Sequence, residues 1–176
     1  MTVHPHQTVF IGLSQLDEMI SFVKLEEKYP IFLIIDVPSF MEDDFIKELE
    51  GNGILFRKDV IEKRSYYRLE ISNEAQVGPM FECAYTFGSM NDFVGWSFDT
   101  PNFLDESWRE KEYLFGIFKR RYSRPRLVLE DQSTVFWIAW DGIGIEVFST
   151  HSKWNSVDQI QQMCDYLNTS RMSKLD

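Results

Sequence analysis

The sequence predicts an α+β fold in a single domain: an antiparallel or mixed sheet with helices packed mainly on one face, and a C-terminal β-hairpin followed by a terminal helix. Three observations lead there. Segments with helical spacing of apolar residues and short β-rich runs are interspersed along the chain without sustained βαβ alternation. Two stretches, Ser39-Phe40-Met41-Glu42 and Ser156-Val157-Asp158-Gln159, have the form of a capping box that opens a helix. Asp141-Gly142, flanked by apolar residues, is the strongest hairpin-turn signal in the chain.

Taken in order, Thr8 to Leu13 is β-rich and leads into Ser14, which caps a helix carrying Leu16, Met19, Ile20 and Val23 and running to about Lys28, since Pro30 excludes helix at Tyr29. Ile31 to Ile35 is a short apolar run that reads as a buried strand. The first capping box opens a helix to Glu50 whose Met41, Phe45 and Leu49 form the buried stripe, and Gly51-Asn52-Gly53 stops it. Ile54 to Arg57 and Tyr66 to Ser72 read as strands joined by a charged connection containing Lys58, Asp59, Glu62, Lys63 and Arg64. Gly78-Pro79 and Gly88-Ser89 break the next region into expected short strands at Phe81 to Phe87 and Phe93 to Phe98. From Asp105 to Tyr122 the spacing of Trp108, Phe115, Phe118 and Tyr122 predicts a helix. Leu127 to Leu129 and Thr134 to Trp140 follow as strands. A two-residue loop at Asp141-Gly142 would set Trp140 opposite Ile143, Ile138 opposite Ile145 and Phe136 opposite Val147, and on the other face Trp137 opposite Glu146. The second capping box opens a helix with Val157, Ile160, Met163, Cys164 and Leu167 on one face.

At 176 residues the chain is the length of one domain, with expected flexible ends at 1–7 and 169–176 around a globular unit at 8–168. Its 15 Phe, 7 Tyr and 5 Trp supply ample aromatic material for a core, so no disulfide or metal staple is called for. Cys83 and Cys164 sit in no metal-ligand spacing and read as reduced thiols. The N-terminus lacks a signal-peptide pattern and no run reaches membrane-span length, which predicts a cytoplasmic protein away from the membrane. The net charge of −10 argues against nucleic acid as a partner. Charge is uneven: ten acidic and three basic residues lie between Ser14 and Glu50, against three acidic and seven basic between Glu106 and Arg126.

No catalytic, cofactor or metal set is complete. His4 and His6 lie near the terminus and lack a third ligand. His151 has Ser149, Ser152 and Glu146 as sequence neighbours, which would be the residues of a hydrolase if folding brought them together. Asp141, Glu146 and Lys153 match a metal-dependent nuclease in residue type but not in spacing. Gly142-Ile143-Gly144 is too short for a phosphate loop. The basic run Lys119, Arg120, Arg121, Arg124 and Arg126 suits either phosphates or a helix C-terminus.

The segment Leu49-Glu50-Gly51-Asn52-Gly53-Ile54, with Arg57 and then Arg64-Ser65-Tyr66-Tyr67-Arg68-Leu69, resembles the helix end and β-wing of winged-helix transcription regulators. That resemblance implies a DNA-associated regulator whose reading helix would be Met41 to Glu48, a helix here rich in carboxylates.

The expected function is therefore protein binding rather than catalysis, by an acidic inhibitor or immunity-type antitoxin that meets a basic protein partner. The expected contact residues are Glu42, Asp43, Asp44 and Glu48 on the acidic helix, with Trp137 and Glu146 on the ribbon; no cofactor is expected. The alternatives are the winged-helix-like regulator and a hydrolase using His151 and Glu146.

Overall fold

In the computed structural model of the protein, residues 7–12, 15–61, 64–90, 92–113 and 118–151 are described. The apolar spacing that predicts the first helix holds: after β1 (Gln7–Ile11), α1 (Leu16–Leu25) buries Met19, Phe22 and Val23. The run Ile31 to Ile35 extends to β2 (Ile31–Val37), buried on both faces at nearly every position because it lies inside the sheet. α2 (Glu42–Gly51) turns Phe45 and Leu49 inward and ends at Asn52, with Gly53 at φ +63° supplying the left-handed stop. The capping box does not form. Ser39–Met41 makes a single 3-10 turn, α2 starts at Glu42, and the Glu42 carboxylate reaches across to Lys58 instead of back to Ser39.

β3 (Leu55–Ile61) and β4 (Arg64–Ile71) take in Lys58, Asp59 and Arg64 of the expected charged connection, whose Glu62 and Lys63 lie outside the described residues. The charges are tolerated because they pair. Arg68 Nε binds Asp59 at 2.5 Å, Arg57 Nε lies 3.1 Å from Asp59, and Arg64 is bonded to Asp36 of β2. Asp36 is only 3% exposed, so its ion pair with Arg64 fixes the turn end of this hairpin against the sheet.

α3 (Glu74–Ser89) replaces the strand expected at Phe81 to Phe87. Val77, Met80, Phe81, Ala84, Phe87 and Gly88 are all buried, a spacing that only a helix places on one side. Pro79 lies in its second turn, where its missing N–H costs a single helical bond, so the Gly78-Pro79 pair is no boundary. β5 (Val94–Ser97) follows as expected.

The helix expected from Asp105 to Tyr122 is instead a long antiparallel hairpin, β6 (Leu104–Tyr113) and β7 (Phe118–Leu127), forming a separate two-stranded sheet. Its register sets Asp105 opposite Arg126, Glu110 opposite Arg121 and Glu112 opposite Lys119. At its base Leu104, opposite Leu127, is buried in a core cluster, a long-range contact that local apolar spacing does not register. The basic run therefore lies along β7, not in a last helical turn.

β8 (Thr134–Ile138) and β9 (Ile145–Ser149) pair with Ile138 opposite Ile145, Phe136 opposite Val147 and Trp137 opposite Glu146, the expected register. The connection is longer than two residues. Ala139 N–H donates to Gly144 O at 2.9 Å and Gly142 N–H to Ala139 O at 3.0 Å, leaving Ile143 exposed, and Asp141 (φ 59°) and Gly142 (φ 69°) take left-handed conformations at the tip. The terminal helix expected from Ser156 lies outside the described residues.

The main sheet has seven strands in the order β1-β9-β8-β5-β2-β4-β3, every neighbouring pair antiparallel. The three helices pack on one face, where Phe22, Phe45, Phe81, Trp96 and Phe136 meet in one core cluster. Trp96 stacks on Phe136 at 5.3 Å and takes Phe81 edge-on at 5.2 Å. The opposite face carries a smaller cluster of Ile34, Tyr66, Phe93, Phe103, Leu104 and Val135 under the base of the β6–β7 hairpin. Arg68 ties that base down, donating to Leu104 O at 2.8 Å and Pro101 O at 3.3 Å. No helix among the described residues is long and apolar enough to cross a membrane.

Candidate functional site

Half the residues of α2 are carboxylates, and its apolar stripe decides where they point. Phe45 is buried edge-on between Tyr67 at 5.2 Å and Phe87 at 5.4 Å, and Leu49 is fully buried, so the helix is locked by its inner side. Asp43, Asp44, Glu48 and Glu50 are left exposed on the outer side. Lys47, the one cation of the helix, pairs with Asp44 at 2.8 Å while both stay open to water, a contact that holds the Asp44 carboxyl below its usual range but adds little to stability. Glu48 Oε1 accepts from Asn52 Nδ2 at 2.8 Å, fastening the helix end.

Glu42 differs from the rest of the expected acidic face. Its Oε2 accepts from Lys58 Nζ at 2.8 Å, and that hydrogen bond holds its carboxyl below the ordinary range. The side chain is only 18% exposed, so Glu42 joins α2 to β3 rather than facing outward. Lys58 also sits over the Tyr67 ring, 5.7 Å from its centroid.

Trp137 and Glu146 are cross-strand partners, as expected, but they belong to the other face of the sheet, and β5, β2 and β4 separate β8 from β3. Trp137 is half-buried, tilted against Phe93 at 5.1 Å and Phe148 at 6.1 Å. The six expected contact residues thus divide into three carboxylates exposed together on α2, one structural carboxylate, and a distant pair beneath the sheet.

Of the residues of the alternative hydrolase, Ser149 and Glu146 lie on opposite faces of the sheet. Ser149 is 2% exposed and its hydroxyl lies 2.8 Å from Thr134 Oγ1, while strand alternation sends Glu146 to the opposite face. The His151 backbone N–H donates to Ser149 Oγ at 2.9 Å. Among the described residues no group of three His, Cys, Asp or Glu side chains gathers as a metal site. His4, His6, Lys153 and Cys164 lie outside them. Burial, with the charges of Glu48 and Glu82, pushes the Cys83 thiol up to about 11, far from a reactive thiolate.

Sequence reasoning missed the apolar residues beside the acidic helix. Phe40, assigned to a capping box, is 82% exposed just ahead of α2. Leu55 and Val60 are 67% and 66% exposed on β3, with Phe56 at 38%. The signal was the run Leu55-Phe56 followed by Val60-Ile61, readable as one strand only if the charged residues between are allowed an edge position. Beneath β3, Phe32, Leu55, Arg57, Arg68, Glu70 and Pro101 line an open cleft of about 270 Å³, shallower than a pocket that encloses a small molecule.

The segment similar to a winged-helix wing forms the end of α2 and the β3–β4 hairpin, which here is the edge of the seven-stranded sheet. No protein-family model matches the chain, and comparisons with curated proteins and with solved structures give no significant match.

Proposed function

We propose that this domain binds a basic protein partner through the exposed face of α2, acting as an acidic inhibitor of the immunity or antitoxin type. The observation that carries the reading is the rigid presentation of Asp43, Asp44, Glu48 and Glu50 on a helix whose inner side is fully packed. A fixed row of carboxylates steers an oppositely charged partner and costs little side-chain ordering on docking. Phe40, exposed immediately before the helix, supplies the aromatic anchor that such a polar surface needs. The same carboxylates repel phosphates, which sets this helix against a DNA-reading role.

The test is to capture the partner by cross-linking in the native cell and compare association rates for wild type and the triple variant Asp43→Lys, Asp44→Lys, Glu48→Lys. The variant should associate at least about tenfold more slowly at low salt, with the gap closing as ionic strength rises. Folding should survive, because none of the three side chains is buried. Equal rates at low salt refute the assignment.

A further inference from the structure

We propose that β3 is a homodimerisation edge, pairing antiparallel with β3 of a second copy about a twofold axis at Lys58. Among the described residues β3 pairs only with β4, so its outer row of backbone donors and acceptors is open along seven residues. Edge strands are ordinarily guarded by proline, a bulge or an outward charge. β3 contains no proline, and its register with β4 runs unbroken from Leu55 to Ile61.

The order of residues is self-complementary. In Leu55-Phe56-Arg57-Lys58-Asp59-Val60-Ile61, antiparallel pairing about Lys58 sets Leu55 against Ile61, Phe56 against Val60 and Arg57 against Asp59 of the second copy. Apolar residues meet apolar ones at both ends, and opposite charges meet on either side of the centre. Arg57 is 65% exposed and bonded at 3.1 Å to Asp59 of its own chain, so pairing would exchange that contact for the equivalent one with Asp59 of the second copy, while each Asp59 keeps its bond to Arg68. The like charges at the centre are already answered, since each Lys58 is held by Glu42 and the Tyr67 ring on its own side of the edge. Leu55, Phe56 and Val60 are three of the seven large apolar side chains exposed among the described residues, a concentration on one short strand that pairing would cover. The arrangement joins two sheets into one.

Sedimentation of the purified full-length chain between about 1 and 200 µM tests this, the range in which a single strand pairing of modest area is detected. Wild type should shift from monomer to dimer across that range. Val60→Asp and Arg57→Asp should each weaken the dimer at least about tenfold with unchanged melting, since both side chains are exposed, whereas Phe10→Asp on the other edge strand should not. A wild type that stays monomeric throughout overturns the proposal and leaves the edge to a strand from another protein. So does a dimer that survives both β3 substitutions, or one lost only through Phe10→Asp.

Discussion

Replacing Gly88 by alanine sets two effects of opposite sign against each other. Gly88 lies inside α3, and by helix propensity alone alanine should stabilise by about 1 kcal/mol. The structure adds a competing term. A Cβ on Gly88 would sit 2.5 Å from Ile138 Cγ2, 2.8 Å from its Cβ and 3.1 Å from its Cδ1. Carbon contacts settle at about 3.5–4.0 Å, so α3 would have to withdraw from β8 by about 1 Å, and overpacking of this kind costs about 1–3 kcal/mol. A contact as short as 2.5 Å puts the cost in the upper half of that range, about 2–3 kcal/mol, so packing should win with a net loss of about 1–2 kcal/mol in urea titration and an unchanged m-value. Gly51→Ala at the end of α2, where an added Cβ meets nothing within 4 Å, should instead be neutral or stabilising. In the double variant Gly88→Ala, Ile138→Ala the losses should fall short of additivity by about 1 kcal/mol, because the closest colliding carbon, Cγ2, and Cδ1 are gone and only the Cβ contact at 2.8 Å remains. A Gly88→Ala protein as stable as wild type or more so would refute the packing of α3 on β8.

Trp96→Ala should cost about 3–5 kcal/mol by denaturant titration, since the ring is fully buried between Phe81 and Phe136; a loss below about 1 kcal/mol would place it outside the core. Asp36 and Asp59 should shape the pH dependence in opposite directions. Burial, partly countered by Arg64, raises the Asp36 carboxyl, so its contribution to stability is lost as pH rises from about 4 through the raised value, and Asp36→Asn should flatten that limb of melting temperature against pH. Burial raises Asp59 too, but Arg68 and Arg57 outweigh it and leave the carboxyl lowered; its contribution, present above about pH 4, is lost as pH falls through the lowered value, and Asp59→Asn should flatten the acid limb instead. Cys83, with its thiol pushed up to about 11, should react with a disulfide reagent at pH 8 about a hundredfold more slowly in native Cys164→Ser protein than in the same protein unfolded in urea, and equal rates would contradict its burial.

The amino-acid sequence by itself determined the features that depend on neighbours along the chain. These are the inner stripe of α2 at Phe45 and Leu49 with its stop at Gly53, the central strand from Ile31, and the register of β8 on β9. In each, periodicity or turn chemistry acts over a few residues and nothing distant opposes it. Tertiary structure decided the rest. Gly78-Pro79 looks like a boundary until Val77, Met80 and Ala84 are seen packing into one core as α3. Trp108, Phe118 and Tyr122 fit a helix until Leu104 finds Leu127 and β6 pairs with β7 along its whole length. Lys58, Asp59 and Arg64 look like loop residues until Glu42, Arg68 and Asp36 neutralise their charges from other positions in the fold. The candidate surface divides in the same way. That Asp43, Asp44 and Glu48 share an exposed helix face follows from helical spacing, whereas the diversion of Glu42 to Lys58 and the open apolar edge of β3 arise only when β3 takes the last place in the sheet. Local patterns specify elements, but which element is an edge, and which charge is spent holding another element, are properties of pairs distant in sequence.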